Sequence, residues 1–254
     1  MPHISITRHQ EIFNPAEFSD IPIHIIGAGA TGSRVWLSLV ELGLTNITVY
    51  DFDKVEPHNL ANQIFFNEDI GKRKVFALAD YYRRKTGHEP HTNMRFINAK
   101  VSAATFGRGS MPGIVFLLTD TMSSRRDIFE NVIYHAGGGH CPTPAATTYM
   151  IETRMASSYG NIFGVNPFDP AERAYWISTL VDDEADSTEV SACGTSISVG
   201  PTASIIANMA VWQMIMFLND PLAATTEINL FCKPMVYHGR DIQRNFDTTQ
   251  RIAV

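Results

Sequence analysis

Ile21-Pro-Ile-His-Ile-Ile26 runs directly into Gly27-Ala-Gly29-Ala-Thr-Gly32, and this stretch decides how the chain folds. A short apolar run closed by glycine has the pattern of a buried strand. Behind the glycines, Val35, Leu39 and Leu42 fall on one stripe of a helix spanning Ser33 to Leu42, and Gly43 supplies a stop. Asn46-Ile-Thr-Val-Tyr-Asp51 reads as the next strand. Strand, turn, helix and strand within about 30 residues make a βαβ unit, whose strands are parallel. In a G-x-G-x-x-G turn the first glycine permits the tight bend and the second admits a phosphate or ribose to the backbone. The third lets helix and strand pack closely. Free N–H groups at the helix start then face an anion. Asp51 lies 24 residues after Gly27, near the spacing at which a carboxylate takes ribose hydroxyls. The set points to a nucleotide; the bland alternative is a glycine turn needed only for packing.

Outward from this unit the alternation continues. Helices are expected over 72–85 and Ser123–Ala136, the latter capped by Ser123 or Ser124 and ended by Gly137-Gly-Gly139. Strands are expected at Met94–Ala99 and Gly113–Asp120. Thr147–Val165 is β-rich, with turn residues at Ser157-Ser158 and Gly160-Asn161 that suggest a hairpin. Pro170–Leu180 reads as a short helix, and Val181–Glu189 as an exposed acidic loop. Ala203–Leu218 follows as a long apolar helix, then strands at Glu227–Phe231 and Pro234–Tyr237. The fold class is therefore α/β: a Rossmann-like, mainly parallel sheet flanked by helices, with antiparallel strands added in the C-terminal half. Residues 1–20 read as an N-terminal arm, 21–240 as a single domain and 241–254 as a C-terminal tail.

The 254 residues, 44% of them hydrophobic, allow a full core, and the formal charge of −6 argues against general nucleic-acid binding. No apolar run in the sequence reads as approaching the roughly 20 residues of a membrane span, and Met1–Gln10 lacks a signal-peptide pattern. A cytoplasmic location without a membrane partner is the expectation. Three cysteines without any C-x-x-C give neither a disulfide framework nor a zinc site. The histidines show no metal-ligand spacing.

The sequence after the second strand departs from a dehydrogenase. Asp51-Phe-Asp53 leads through Asn59-Leu-Ala-Asn62-Gln63 to Asp69-Ile-Gly-Lys-Arg-Lys74. A dinucleotide fold has no mechanical need for this polar crossover. Carboxylate attack on an α-phosphate does, because it brings two anions together and builds charge on the leaving pyrophosphate. The ordered motifs G-A-G-A-T-G, D-F-D, N-L-x-x-Q, D-I-G-K-x-K and T-D-x-x-x-S-R resemble the ThiF/MoeB/HesA family, relatives of the ubiquitin-activating enzymes. The likeness runs from about Arg8 through Leu218. It implies ATP- and Mg²⁺-dependent adenylation of the C-terminal carboxylate of a ubiquitin-like or sulfur-carrier protein by a homodimer.

Carried over residue by residue, the resemblance gives Asp51 the ATP ribose and places Gly27, Gly29, Gly32, Asn59 and Gln63 around the nucleotide. The usual arginine of the N-L-x-R-Q segment is Asn62 here, which removes a phosphate-facing cation. Lys74, rather than Lys72, matches the phosphate-contacting lysine. Asp120 matches the Mg²⁺ ligand, with capping of the next helix as its plain alternative. Arg8 matches an arginine lent across the homodimer, and Arg125 a framework residue. Cys193 stands where some members carry a thiol that accepts the acyl group; a small buried cysteine is the other reading. Cys141 and Cys232 are bystanders. Three alternatives stay open: a peptide, small-molecule or tRNA carboxylate as acceptor, an NAD(P)-dependent oxidoreductase, or an inactive nucleotide-binding module.

Overall fold

A computed structural model describes residues 4–107, 111–134, 147–183 and 199–242, and the backbone of 246–251. Its strands are β1 (Ile23–Ile26), β2 (Ile47–Tyr50), β3 (Arg95–Ile97), β4 (Gly113–Leu117), β5 (Thr147–Met155), β6 (Tyr159–Val165), β7 (Glu227–Cys232), β8 (Met235–Asp241) and β9 (Phe246–Arg251). They form one sheet in the order β3-β2-β1-β4-β5-β6-β7-β8-β9. The first five strands are parallel, and from β5 onward every neighbour is antiparallel. This is the expected Rossmann-like half with an antiparallel extension.

Both faces of the sheet are covered, which is why its strands read as continuous apolar runs. Alternate residues divide between two cores: Ile114 and Phe116 of β4 face one, Val115 and Leu117 the other. The helices α1 (Ala30–Glu41), α2 (Lys74–Thr86) and α5 (Gly200–Asn219) cover the first face, with α5 lying along α1 and across β5 and β6. The helices α3 (Met122–Ile128) and α4 (Pro170–Ser178) cover the second, where Phe129 and Trp176 pack with ring centres 4.5 Å apart.

Several boundaries differ from the sequence reading, each for a physical reason. The α3 cap is Thr121, whose Oγ1 accepts the Ser124 N–H at 3.2 Å, rather than Ser123 or Ser124. Beyond Ile128 the helix loosens into a π-turn, Phe129–Ile133, that drives Phe129, Val132 and Ile133 into the core. The helix expected over Ala203–Leu218 runs from Gly200 to Asn219. Contrary to the sequence estimate, it is long and apolar enough by length and composition to cross a membrane; in this fold half of its most apolar window is buried against the sheet and α1. The tail assigned to 241–254 contains a strand, since β9 pairs with β8 from Asp241–Phe246 to Val236–Arg251. The described part of the arm lies on the core: Phe13 is buried and stacks on Phe18 at 5.3 Å. The glycines at 137–139 and most of the acidic loop lie outside the described residues.

Candidate nucleotide site

The strands β1, β2 and β4 end level, because Ile26 pairs with both Tyr50 and Leu117. The chain therefore leaves all three strands along one edge, at Gly27, Asp51 and Leu118. The order reverses between β1 and β4, and ligands of open α/β sheets bind at such a switch point. A cavity of about 540 Å³ opens there, within the range of small-molecule sites.

The glycine turn is shaped by contact on one side and open space on the other. Gly27 has φ +100°, and a Cβ there would lie 2.5 Å from the Leu118 carbonyl oxygen. A Cβ on Gly32 would collide with the Gly27 carbonyl oxygen, so this glycine sits behind the turn and lets α1 close on β1. Gly29 meets nothing within 4 Å, and its open side faces the cavity. It is also the N-cap of α1 without a side-chain cap, leaving the first N–H groups of a 12-residue helix available to an anion.

Asp51 locks this arrangement. Its Oδ2 accepts the Ala28 N–H at 2.7 Å and its Oδ1 the Asp53 N–H at 2.7 Å. Each carboxylate oxygen keeps a lone pair for a ribose hydroxyl. Lys74, nearly buried, holds its Nζ 3.0 Å from Asp53 Oδ2, so the cation stands at the cavity already fixed by a half-exposed carboxylate. Lys72 is held elsewhere, by Asp69 at 3.3 Å and Asp80 at 3.0 Å. Asp69 is fully buried; burial pushes its carboxyl up, but hydrogen bonds from Arg84, the Phe66 N–H and Lys72 outweigh that and hold it below the usual range. This network fixes the segment that delivers Lys74.

Asp120 lies at the carboxyl end of β4, exposed at the cavity, and its carboxylate takes no bond from the described residues. The helix-capping alternative is filled by Thr121, and also by Asp183, whose Oδ1 accepts the N–H groups of Met122 at 2.6 Å and Ser123 at 3.1 Å. A hard-oxygen ligand beside a helix start open to anions suits Mg²⁺, which prefers one or two carboxylates plus phosphates and water. Among the described residues no cluster of three His, Cys, Asp or Glu could hold a metal without such a ligand. The Asp120 turn is itself anchored, because Arg125 Nη1 donates to the Asp120 carbonyl at 3.4 Å while its Nε pairs with buried Glu152 at 2.8 Å.

Gly27, Gly29, Asp51, Lys74 and Asp120 thus meet at one cavity. Other candidates do not line it. Asn59 turns its Oδ1 to the Glu56 N–H at 2.9 Å, holding the turn Pro57–Ala61. Gln63 is partly buried, with Oε1 lacking a partner. Arg8 is exposed, next to His9, whose Nε2 lies 3.3 Å from the Leu42 carbonyl at the far end of α1. Cys193 and Cys141 lie outside the described residues. Sequence reasoning missed Phe52 and Lys100, which line the cavity together, the Lys100 Nζ 5.9 Å from the Phe52 ring. An exposed aromatic inside the D-F-D motif was the available signal. Asp183 carried none, being 60 residues from the helix it caps.

A family model described as the ThiF family matches residues 16–248. A comparison with curated proteins found no match. Among solved structures, E. coli MccB with AMPCPP and MccA aligns with a TM-score of 0.61 at 13% identity, covering 90% of this chain and 65% of that one. E. coli MccB with ATP gives the same values, a TM-score of 0.61 at 13% identity over 90% and 65%. PaaA aligns with a TM-score of 0.63 at 17% identity, over 90% of this chain and 75% of that one. The chain thus spans 65% of the length of these MccB chains, and at such identities the likeness speaks for the fold. With the model match covering nearly the whole described fold, the chain belongs to the ThiF family.

Proposed function

We propose that the chain is an ATP- and Mg²⁺-dependent adenylyltransferase acting on the terminal carboxylate of a polypeptide, with a ubiquitin-like or sulfur-carrier protein as the expected partner. The observation that carries this reading is the meeting of the glycine turn, Asp51, Lys74 and Asp120 at one cavity. Family membership and the MccB structures solved with ATP and with AMPCPP support it. A hydride-transfer site would leave Lys74 and Asp120 without a task.

In this reading Asp51 orients the ribose, and the N–H groups at the start of α1 receive the phosphates. Lys74 offsets their charge, releasing part of its hold on Asp53. Asp120 would hold Mg²⁺, whose positive charge would offset that of the departing pyrophosphate. A carboxylate oxygen of the substrate attacks the α-phosphorus and the α–β bridging bond breaks, giving acyl-adenylate and pyrophosphate with no proton transferred. Cys193 is the candidate for the next step, its thiolate attacking the acyl carbon and releasing AMP. Arg8 would serve the phosphates of a second copy of the chain.

ATP–pyrophosphate exchange with small proteins ending in Gly-Gly tests the reading. Exchange that depends on substrate and Mg²⁺, and falls at least about 100-fold in Asp120→Ala, is the expected outcome. Wild-type protein that binds no ATP would sink it. The exposed Asp120 carboxylate makes no bond to the described residues, and the carbonyl that Arg125 holds is kept in the variant, so the variant should melt with the wild type.

A further inference from the structure

Arg34 lies on α1 about 6 Å along the axis from Ala30, and a helical side chain leans back toward the helix start. Its Nε is buried without a partner, and among the described residues no carboxylate pairs with its guanidinium. Burial alone pushes that guanidinium below its ordinary range. The rest of the side chain is partly exposed, so the guanidinium is open to an anionic ligand.

Its position says which ligand. The point where a Cβ on Gly200 would sit is 3.5 Å from Arg34 Nη2, 3.7 Å from Asn62 Cα and 3.2 Å from the Ala61 carbonyl. Arg34 therefore stands beside the residue that replaces the arginine of the N-L-x-R-Q segment. The same spot is the first turn of α5, a 20-residue helix with no side-chain N-cap bond. Among the described residues the guanidinium has no carboxylate and the helix start no side-chain cap, which favours a multiply charged anion there.

We propose that Arg34 is a binding residue for the polyphosphate of ATP, supplying from α1 the guanidinium that position 62 lacks; the assignment rests on the adenylation reading. Arg34→Gln keeps much of the packing stem and removes the charge. Calorimetric titration with tripolyphosphate, Mg·ATP and AMP separates the phosphate end from the nucleoside end. Arg34→Gln is expected to lose about tenfold or more in affinity for tripolyphosphate and Mg·ATP, and to keep its AMP affinity. Its melting temperature without ligand should match that of the wild type, because no carboxylate among the described residues loses a partner. Adding Asn62→Arg should recover affinity for tripolyphosphate. Unchanged tripolyphosphate and ATP affinities in Arg34→Gln overturn the proposal, as does an equal loss for AMP with a lowered melting temperature, which marks a packing role. Wild type that binds tripolyphosphate through Arg34 but never exchanges pyrophosphate ends the adenylation reading instead. Wild type that exchanges, with Arg34→Gln unaffected, ends only the role of Arg34.

Discussion

Asp51 shows how a single carboxylate joins fold to chemistry, since the bonds from Ala28 and Asp53 that orient it also tie the glycine turn to the end of β2. Lys74 does the same for α2, reaching the cavity through Asp53. A buried residue on β1 links this edge of the sheet to pH. His24 is 3% exposed, with Nδ1 3.0 Å from the Tyr50 hydroxyl. Burial, with the charge of Arg95 adding to it, pushes its imidazole from the ordinary 6.5 down to about 4. The unfolded chain then binds more protons between those two values, so stability rises with pH across that window. The contribution is complete above pH 6.5 and is lost as pH falls toward 4, reaching about 3 kcal/mol. Melting temperatures of wild type and His24→Gln from pH 4 to 7 check this, the variant being expected to show the flatter profile. Equal slopes would assign the acid sensitivity to other groups.

At the level of elements, the turn between β4 and α3 is held from β5. Glu152 is fully buried between Arg125 Nε at 2.8 Å and Arg154 Nε at 3.1 Å, and accepts the Trp176 Nε1–H at 3.1 Å. Through Arg125 this carboxylate fixes the Asp120 carbonyl, which makes Glu152 a positioning residue. Glu152→Gln leaves two guanidiniums without an anion and should cost about 3–5 kcal/mol in urea unfolding, with weaker Mg²⁺ dependence of exchange. A variant as stable as wild type would mean that solvent or a rearranged neighbour compensates. Such long-range ties explain what the sequence made legible. The βαβ unit and Asp51 were readable because strand, turn and helix signals are local, and the positions of Lys74 and Asp120 followed from motif order. The cap from Asp183 and the Glu152 network join segments far apart in the chain, and no local pattern encodes them. Strand β9 was missed for another reason: Phe-Asp-Thr-Thr-Gln-Arg251 at a sheet edge lacks an alternating apolar face. Asn59 was assigned by motif to the nucleotide, whereas the fold uses it to brace its own turn.

For the whole molecule, the decisive geometry is the distance between the arm and the cavity. The glycine turn lies at the start of α1, and the arm is fastened at the other end, through His9 to Leu42 and through the Ile12 carbonyl to Asn219. A 12-residue helix is about 18 Å long, so Arg8 serves no phosphate in its own chain without leaving this seat. If Arg8 acts as proposed, it acts in a second copy, and two defects placed in different chains must complement. Arg8→Ala and Asp120→Ala should each be inactive in ATP–pyrophosphate exchange. In a dimer with random exchange of subunits, half of the molecules are mixed, and each mixed dimer holds one intact site. An equimolar mixture should therefore recover about a quarter of wild-type activity. Recovery requires both a shared site and subunit exchange, so sedimentation of the mixture under the same conditions accompanies the assay. A dimer that exchanges subunits yet shows no recovery would mean that Arg8 lends nothing to the site of a second copy.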